Sequence, residues 1–198
     1  MEETQEDNIQ KKPLQELLNE IPEIYQPIFG HPELSTRFCR PCDDRLEMIK
    51  HVYHTLEQKL GRPLRVLDLG CAQGYFSLHL AQIGATTYGI DFQRVSINVC
   101  QALAAEFNLP DAHFQLGLVE KIIENLQPGQ CDLVLGLSVF HHINNRFGIE
   151  ATRKLLADLA SKTVAGIYEM ALASEPMVWA DQQPQDPRVL LQDYVVRA

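Results

Sequence analysis

The sequence concentrates its chemistry in three short stretches. The first is DLGCAQG, residues 68–74. Gly70 and Gly74 let a ligand approach bare backbone, and Ala72 between them is nearly as small. Asp91 stands 21 residues beyond Gly70. An acid at that distance from a glycine-rich turn can accept both hydroxyls of a ribose. The second stretch is the pair His141-His142, and the third is Cys39-Arg-Pro-Cys42.

The ligand that the first stretch selects follows from its charge. A dinucleotide site reads G-x-G-x-x-G and rests a pyrophosphate on a helix N-terminus. Here the spacing is G-x-A-x-G, with Asp68 two residues ahead of Gly70. No G-K-[ST] follows for a nucleoside triphosphate. Asp68 adds negative charge where a pyrophosphate would lie, so a cationic nucleoside fits better. S-adenosylmethionine (SAM) has an adenosine, no phosphate and a sulfonium. A nicotinamide-dependent oxidoreductase is the weaker reading, since it lacks its glycine pattern.

The histidine pair has three readings: a general base for a hydroxyl acceptor, a binder of an anionic acceptor with Arg146 nearby, or a structural pair. If the chain leaves a strand extended at this point, one ring lines the site and the other packs. The cysteine pair reads as two ordinary thiols. A zinc site would have to recruit His31, His51 or His54 to complete four ligands. The remaining cysteines, Cys71, Cys100 and Cys131, make an odd, scattered set of the kind found in a reducing compartment.

The elements that position these residues alternate. Residues 1–12 are polar, without apolar period, and read as a disordered tail. Leu14, Leu17, Leu18 and Ile21 predict a short helix stopped by Pro22, followed by an ordered loop over 23–32. Asp43 is placed to cap a second helix carrying Leu46, Ile49, Val52, Leu56 and Leu60, ended by Gly61 and Pro63. Strands are expected at 64–69, 86–90 or 91, 113–116, 131–139 and 164–170. Helices are expected at 74–83, 94–107, 119–126, around Ile149 to Leu159, and at 187–195 behind the cap Asp186-Pro187. The fold class is therefore α/β, a doubly wound, mostly parallel sheet with ligands at the carboxyl ends of its strands. Residues 13–60 form a helical lid or cap, and 61–198 the core.

VLDLGCAQG (66–74), GIDFQ (89–93) and DLVLGLSVFHHI (132–143) resemble the motifs of class I SAM-dependent methyltransferases. With PEIYQPIFGHPE (22–33) and INVC (97–100), the likeness narrows to the N-terminal methyltransferase domain of the bifunctional methyltransferase/kinases that cap O-antigen polymannose chains. The resemblance runs from about residue 14 to about 190. It implies that Gly70 lies beneath the methionine part of SAM and that Asp91 holds the ribose. Leu118, Val119 and Glu120 would flank the adenine, with Ser138 toward the methionine end. Tyr25 and Gln26 match a lid segment, and Arg45 a base that meets the cofactor carboxylate. The implied acceptor is a saccharide or saccharide phosphate, and the implied location is cytoplasmic, peripheral to the inner membrane through partners. A kinase domain or glycosyltransferase partner would lie outside this chain, which carries no kinase motif. A non-catalytic SAM-binding scaffold and a small-molecule O-methyltransferase are the alternatives.

Composition agrees with one domain. The 198 residues are 45% hydrophobic, and 17 basic against 26 acidic residues give a net charge of −9. Nucleic-acid binding depends on neutralising phosphates, so this balance counts against it. No apolar run approaches the ~20 residues that span a bilayer, and the acidic N-terminus is unlike a signal peptide. The resembled family has seven strands where five are expected here, so strand five could leave an unpaired edge that invites a partner.

Overall fold

The computed structural model describes residues 12–35, 41–176 and 178–192. Cys39, residues 1–11 of the expected tail, and the end of the expected helix beyond residue 192 lie outside the described residues.

Five parallel strands form one sheet in the order β3-β2-β1-β4-β5. They are β1 (Arg65–Leu69), β2 (Thr86–Asp91), β3 (Ala112–Leu116), β4 (Leu133–Leu137) and β5 (Ala165–Glu169). The chain winds outward from β1 to β3, then returns past β1 to β4 and winds the other way. That reversal opens a crevice at the strand tips between β1 and β4. Register sets Asp68 beside Gly89 and Leu135 in the middle of the sheet.

Helices cover both faces, as parallel strands buried on both sides require. They are α1 (Leu14–Glu20), α2 (Asp43–Leu60), α3 (Tyr75–Gln82), α4 (Arg94–Glu106), α5 (Val119–Asn125), α6 (Phe140–Phe147) and α7 (Ile149–Lys162). Leu17, Leu18, Ile28 and Phe29 of the N-terminal segment pack with Ile97, Val99 and Leu103 of α4. On another part of the sheet, Leu46, Ile49 and Tyr53 of α2 pack with Val66, Phe76 and Leu133. The third cluster joins Ile123, Phe140, Ile143, Leu156 and Leu159 to Leu67 and Val134. Gly61 ends α2 in a left-handed conformation, φ +67°, where a side chain would be strained.

The structure changes three sequence expectations. Asp43 opens α2 without capping it; Cys42 holds the cap position, and Asp43 instead accepts from the Tyr75 hydroxyl at 3.3 Å. The 131–139 strand is shorter, and its end turns at once into α6, which the sequence reading left out. Ser138 makes that turn in a left-handed conformation, φ +56°. The Asp186 cap is present, with its carboxylate accepting from Arg188 N, but it opens a 3-10 turn over Pro187–Leu191 rather than an α-helix.

Candidate functional site

A cavity of about 680 Å³ opens over the tips of β1, β2, β4 and β5. Its floor is the loop after β1. Gly70 N and Cys71 N both donate to Ile90 O, at 2.8 and 2.9 Å, which draws the loop onto β2. Gly70 is left-handed, φ +72°, and a Cβ there would meet Val139 at 3.1 Å. Its backbone therefore stays bare toward the cavity. Gly74 is the cap of α3, φ +77°, where a Cβ would come within 2.9 Å of Cys100 Sγ. Gly74 thus serves the loop's close packing and does not line the cavity.

Asp91 ends β2 at the cavity wall. Its Oδ2 accepts from Ala72 N at 3.0 Å and its Oδ1 from Gln93 N at 2.8 Å. Among the described residues it forms no ion pair. Burial raises its pKa above the ordinary carboxylate value, against the pull of its backbone donors. Phe92, Leu118 and Val119 make an apolar wall beside it, with Phe92 68% exposed. Glu120, at the same tip, lies 3.4 Å from Arg146 Nη1.

Asp68 sits under the floor rather than in it. It is 2% exposed and accepts from the Ser77 hydroxyl at 2.7 Å. Burial pushes its pKa up to about 6, with the Ser77 bond opposing and Asp91 nearby adding to the rise. Its place is behind the loop, tying β1 to α3, and it is not part of the cavity lining.

The N-terminal segment closes over the loop through two glutamines. Tyr25 N donates to Gln73 Oε1 at 3.1 Å, and Tyr75 N donates to Gln26 Oε1 at 3.0 Å. The two bonds clasp residues 25–26 to the turn, and both Tyr25 and Gln26 line the cavity. Arg45 reaches in from α2. Its Nη1 donates to Glu169 Oε2 at 3.0 Å, its Nη2 to Pro41 O at 2.9 Å, and the guanidinium lies over Phe76. Ser138 lines the cavity, and its N–H donates to Glu169 O at 3.1 Å.

Both His141 and His142 line the cavity, which corrects the expectation of one ring in and one out. They occupy the first turn of α6 rather than an extended chain. Successive helical residues are rotated by about 100°, not 180°, so both rings can face one opening. The rings lie 4.3 Å apart, and both touch Trp179. Desolvation draws the His142 pKa below the usual imidazole value, which favours its neutral form.

The sequence reading missed Phe92, Glu169 and Trp179. Phe92 follows Asp91 directly and could have been read from the GIDFQ stretch. Glu169 ends the fifth strand, at the edge where chemistry is expected. Trp179 is the sole tryptophan of the chain, which is its only signal. Among the described residues no group of three or more His, Cys, Asp and Glu side chains is arranged to hold a metal. His31 is bonded to Glu33 and Glu106, and His54 to Glu57.

A family model described as a methyltransferase domain matches residues 61–156. The O-antigen chain terminator bifunctional methyltransferase/kinase WbdD of Escherichia coli is 52% identical over 181 residues, covering 91% of this chain and 26% of that protein. The 2.2 Å crystal structure of WbdD superposes with a TM-score of 0.88, covering 90% of this chain and 40% of the crystallised one.

Residues 61–156 thus carry a methyltransferase domain.

A ubiquinone biosynthesis O-methyltransferase of Albidiferax ferrireducens is 32% identical over 99 residues, half of this chain and 36% of that enzyme. The chain thus spans about a quarter of the WbdD relative, which is named for a kinase as well. This domain places its glycine-rich floor, the acid at the end of β2 and the tip of β4 around one cavity. Among the described residues no helix is long and apolar enough to cross a membrane.

Proposed function

We propose that this methyltransferase uses SAM to methylate a phosphate on the terminal sugar of a cell-surface polysaccharide such as polymannose O-antigen, and so ends the chain's growth. One observation carries the cofactor half of the reading. The buried Asp91 carboxylate lines the cavity without a cation, and its oxygens, each holding one backbone donor, keep further acceptor sites of the kind a ribose diol fills. The bare backbone of Gly70 and the apolar wall of Phe92, Leu118 and Val119 fit the rest of a nucleoside. Arg45 is positioned to meet a carboxylate, at present with Glu169 as its partner.

SAM supplies an activated methyl carbon, so the protein's own task is positioning and exclusion of water. Tyr25 and Gln26, clasped to the floor, shield one side. Ser138 and the first turn of α6 set the other. A phosphate monoester has its second pKa near ~6 and needs no base at neutral pH. It needs donors, and neutral His142 can give one N–H while Arg146 gives charge. The kinship with WbdD supports the glycan end as acceptor, because that protein is named as an O-antigen chain terminator. A cytoplasmic location, and a kinase or glycosyltransferase acting beside this domain, belong to the same proposal.

A hydroxyl acceptor has one observation in its favour: a neutral imidazole at the cavity can take a proton. Incubation with labelled SAM and a panel of phosphorylated and plain oligomannosides, read by mass spectrometry, separates the two. Methyl label on the phosphorylated members alone is expected. Label on plain members alone would replace the phosphate reading, and calorimetric binding of NAD without SAM would remove the methyltransferase reading of the site.

A further inference from the structure

The acceptor end of the cavity holds an aromatic surface that the cofactor does not need. Trp179 lies nearly parallel to the His141 ring, centroids 4.9 Å apart at 24°, and 5.3 Å from His142. It lines the same cavity as the two imidazoles and is only half-buried.

The segment carrying it is anchored. Gln183 is 4% exposed, accepts from Asn144 Nδ2 at 3.0 Å, and donates to the His141 carbonyl at 3.2 Å. Asn144 is buried too. Two hydrogen bonds, shielded from water, therefore fix the loop after β5 against α6. The 3-10 turn Ala180–Gln182 follows Trp179 directly and keeps the intervening chain short. The ring is held in place before any ligand arrives, so the ordering cost of binding is already met.

Such a surface has a definite chemistry. A flat, fixed indole face takes the C–H side of a pyranose ring and tolerates its hydroxyls at the rim. The two imidazoles beside it offer donors where a substituent of that ring would project, and Arg146 on the same helix offers charge. We infer that Trp179, prepositioned by Gln183 and Asn144, is the platform for the terminal sugar ring of the acceptor, and that it selects a saccharide over a bare anion or a non-sugar phosphate. This rests on the glycan reading of the preceding section and adds the group that recognises the sugar itself.

Trp179 is the only tryptophan in the chain, so its emission reports this surface alone. Titrating the protein with a phosphorylated trimannoside, the same trimannoside without phosphate, and inorganic phosphate, in the presence of S-adenosylhomocysteine, tests the assignment. Both trimannosides are expected to shift the emission saturably, and inorganic phosphate to leave it unchanged. Trp179→Ala should raise the acceptor KM about tenfold with kcat little altered, and Trp179→Phe should recover most of the loss. Retained calorimetric binding of S-adenosylhomocysteine certifies that the variant is folded; if Trp179→Ala does not fold, the Phe variant and the wild-type emission decide. The platform is overturned if wild-type protein methylates the sugar phosphate while emission stays constant, if inorganic phosphate alone produces the whole shift, or if Trp179→Ala keeps the wild-type KM. If the wild type neither binds nor methylates any trimannoside, the glycan reading itself falls and takes the platform with it.

Discussion

Asp132 and Asp91 are both buried aspartates at the ends of one sheet, and their surroundings are opposite. Asp132, next to the start of β4, accepts from Arg62 through both oxygens, at 2.9 and 2.8 Å, and from the Arg65 backbone and side chain. Burial alone would raise its pKa, but the two arginines overcome that and hold the carboxyl far below the usual range. Asp91, at the other end, has only backbone donors, and its pKa is raised by burial. One end of the sheet neutralises its buried charge; the other leaves a buried carboxylate at the cavity wall without a cation. The first arrangement holds the fold together, and the second leaves acceptor sites open to a ligand.

The largest test of this contrast is Asp132→Ala. Removing it takes the acceptor from the Arg65 backbone N–H and from two guanidinium groups, and about 3 kcal/mol of stability should be lost in chemical denaturation. Because the Asp132 pKa is lowered on folding, its contribution is present above the ordinary value of 3.8 and disappears as pH falls below it. The gap between wild type and variant should therefore narrow in acid. A variant as stable as wild type at pH 7 would break the comparison at its structural end.

Asp91→Ala should do the reverse, weakening SAM roughly a hundredfold in calorimetry while costing less stability than Asp132→Ala. Unchanged SAM affinity would remove Asp91 from the site. Asp68 sharpens the point further, since it is buried at the same end without facing the cavity. Its pKa rises from 3.8 to about 6 on folding. The folded state then holds that proton more tightly, so stability falls as pH climbs from about 4 to 6 and the cost persists above. Asp68→Asn should flatten this fall by on the order of 2 kcal/mol. Parallel pH–stability curves for the two proteins would contradict it.

The smallest effect is expected at His142. With a phosphate acceptor, His142→Ala should raise the acceptor KM about fivefold and leave the pH–rate profile in place. Loss of a limb governed by imidazole titration would favour a hydroxyl acceptor instead.

The two ends of the cavity also differ in how far the sequence discloses them. Gly70, Asp91 and the strand–loop–helix between them lie in one short stretch, where backbone geometry follows from local residue types. The sheet and most helices follow from the same periodicities. The rest of the cavity has no such continuity. Arg45 and Glu169 meet across 124 positions, and Gln183 bonds to Asn144 across 39. No spacing rule announces contacts of that kind. The helix α6 escaped because its apolar lead-in, LVLGLSVF, extends the strand pattern past a left-handed Ser138 that sequence alone does not mark. That same omission put the two histidines on a strand exit instead of a helical turn. Asp68 is legible from sequence only as an acid in a glycine-rich turn; its burial and its bond to Ser77 beneath the floor come from the packing of β1 on α3.

The reversal of winding between β1 and β4 divides authorship of the cavity. Residues 70–120 supply one wall, and residues 137–179 supply most of the wall opposite. Each wall is a continuous piece of chain supported by its own strands, so the second can be rewritten by insertion or exchange while the first keeps its form. A single sheet can in this way keep one donor and acquire new recipients, with the central strand pair as the seam.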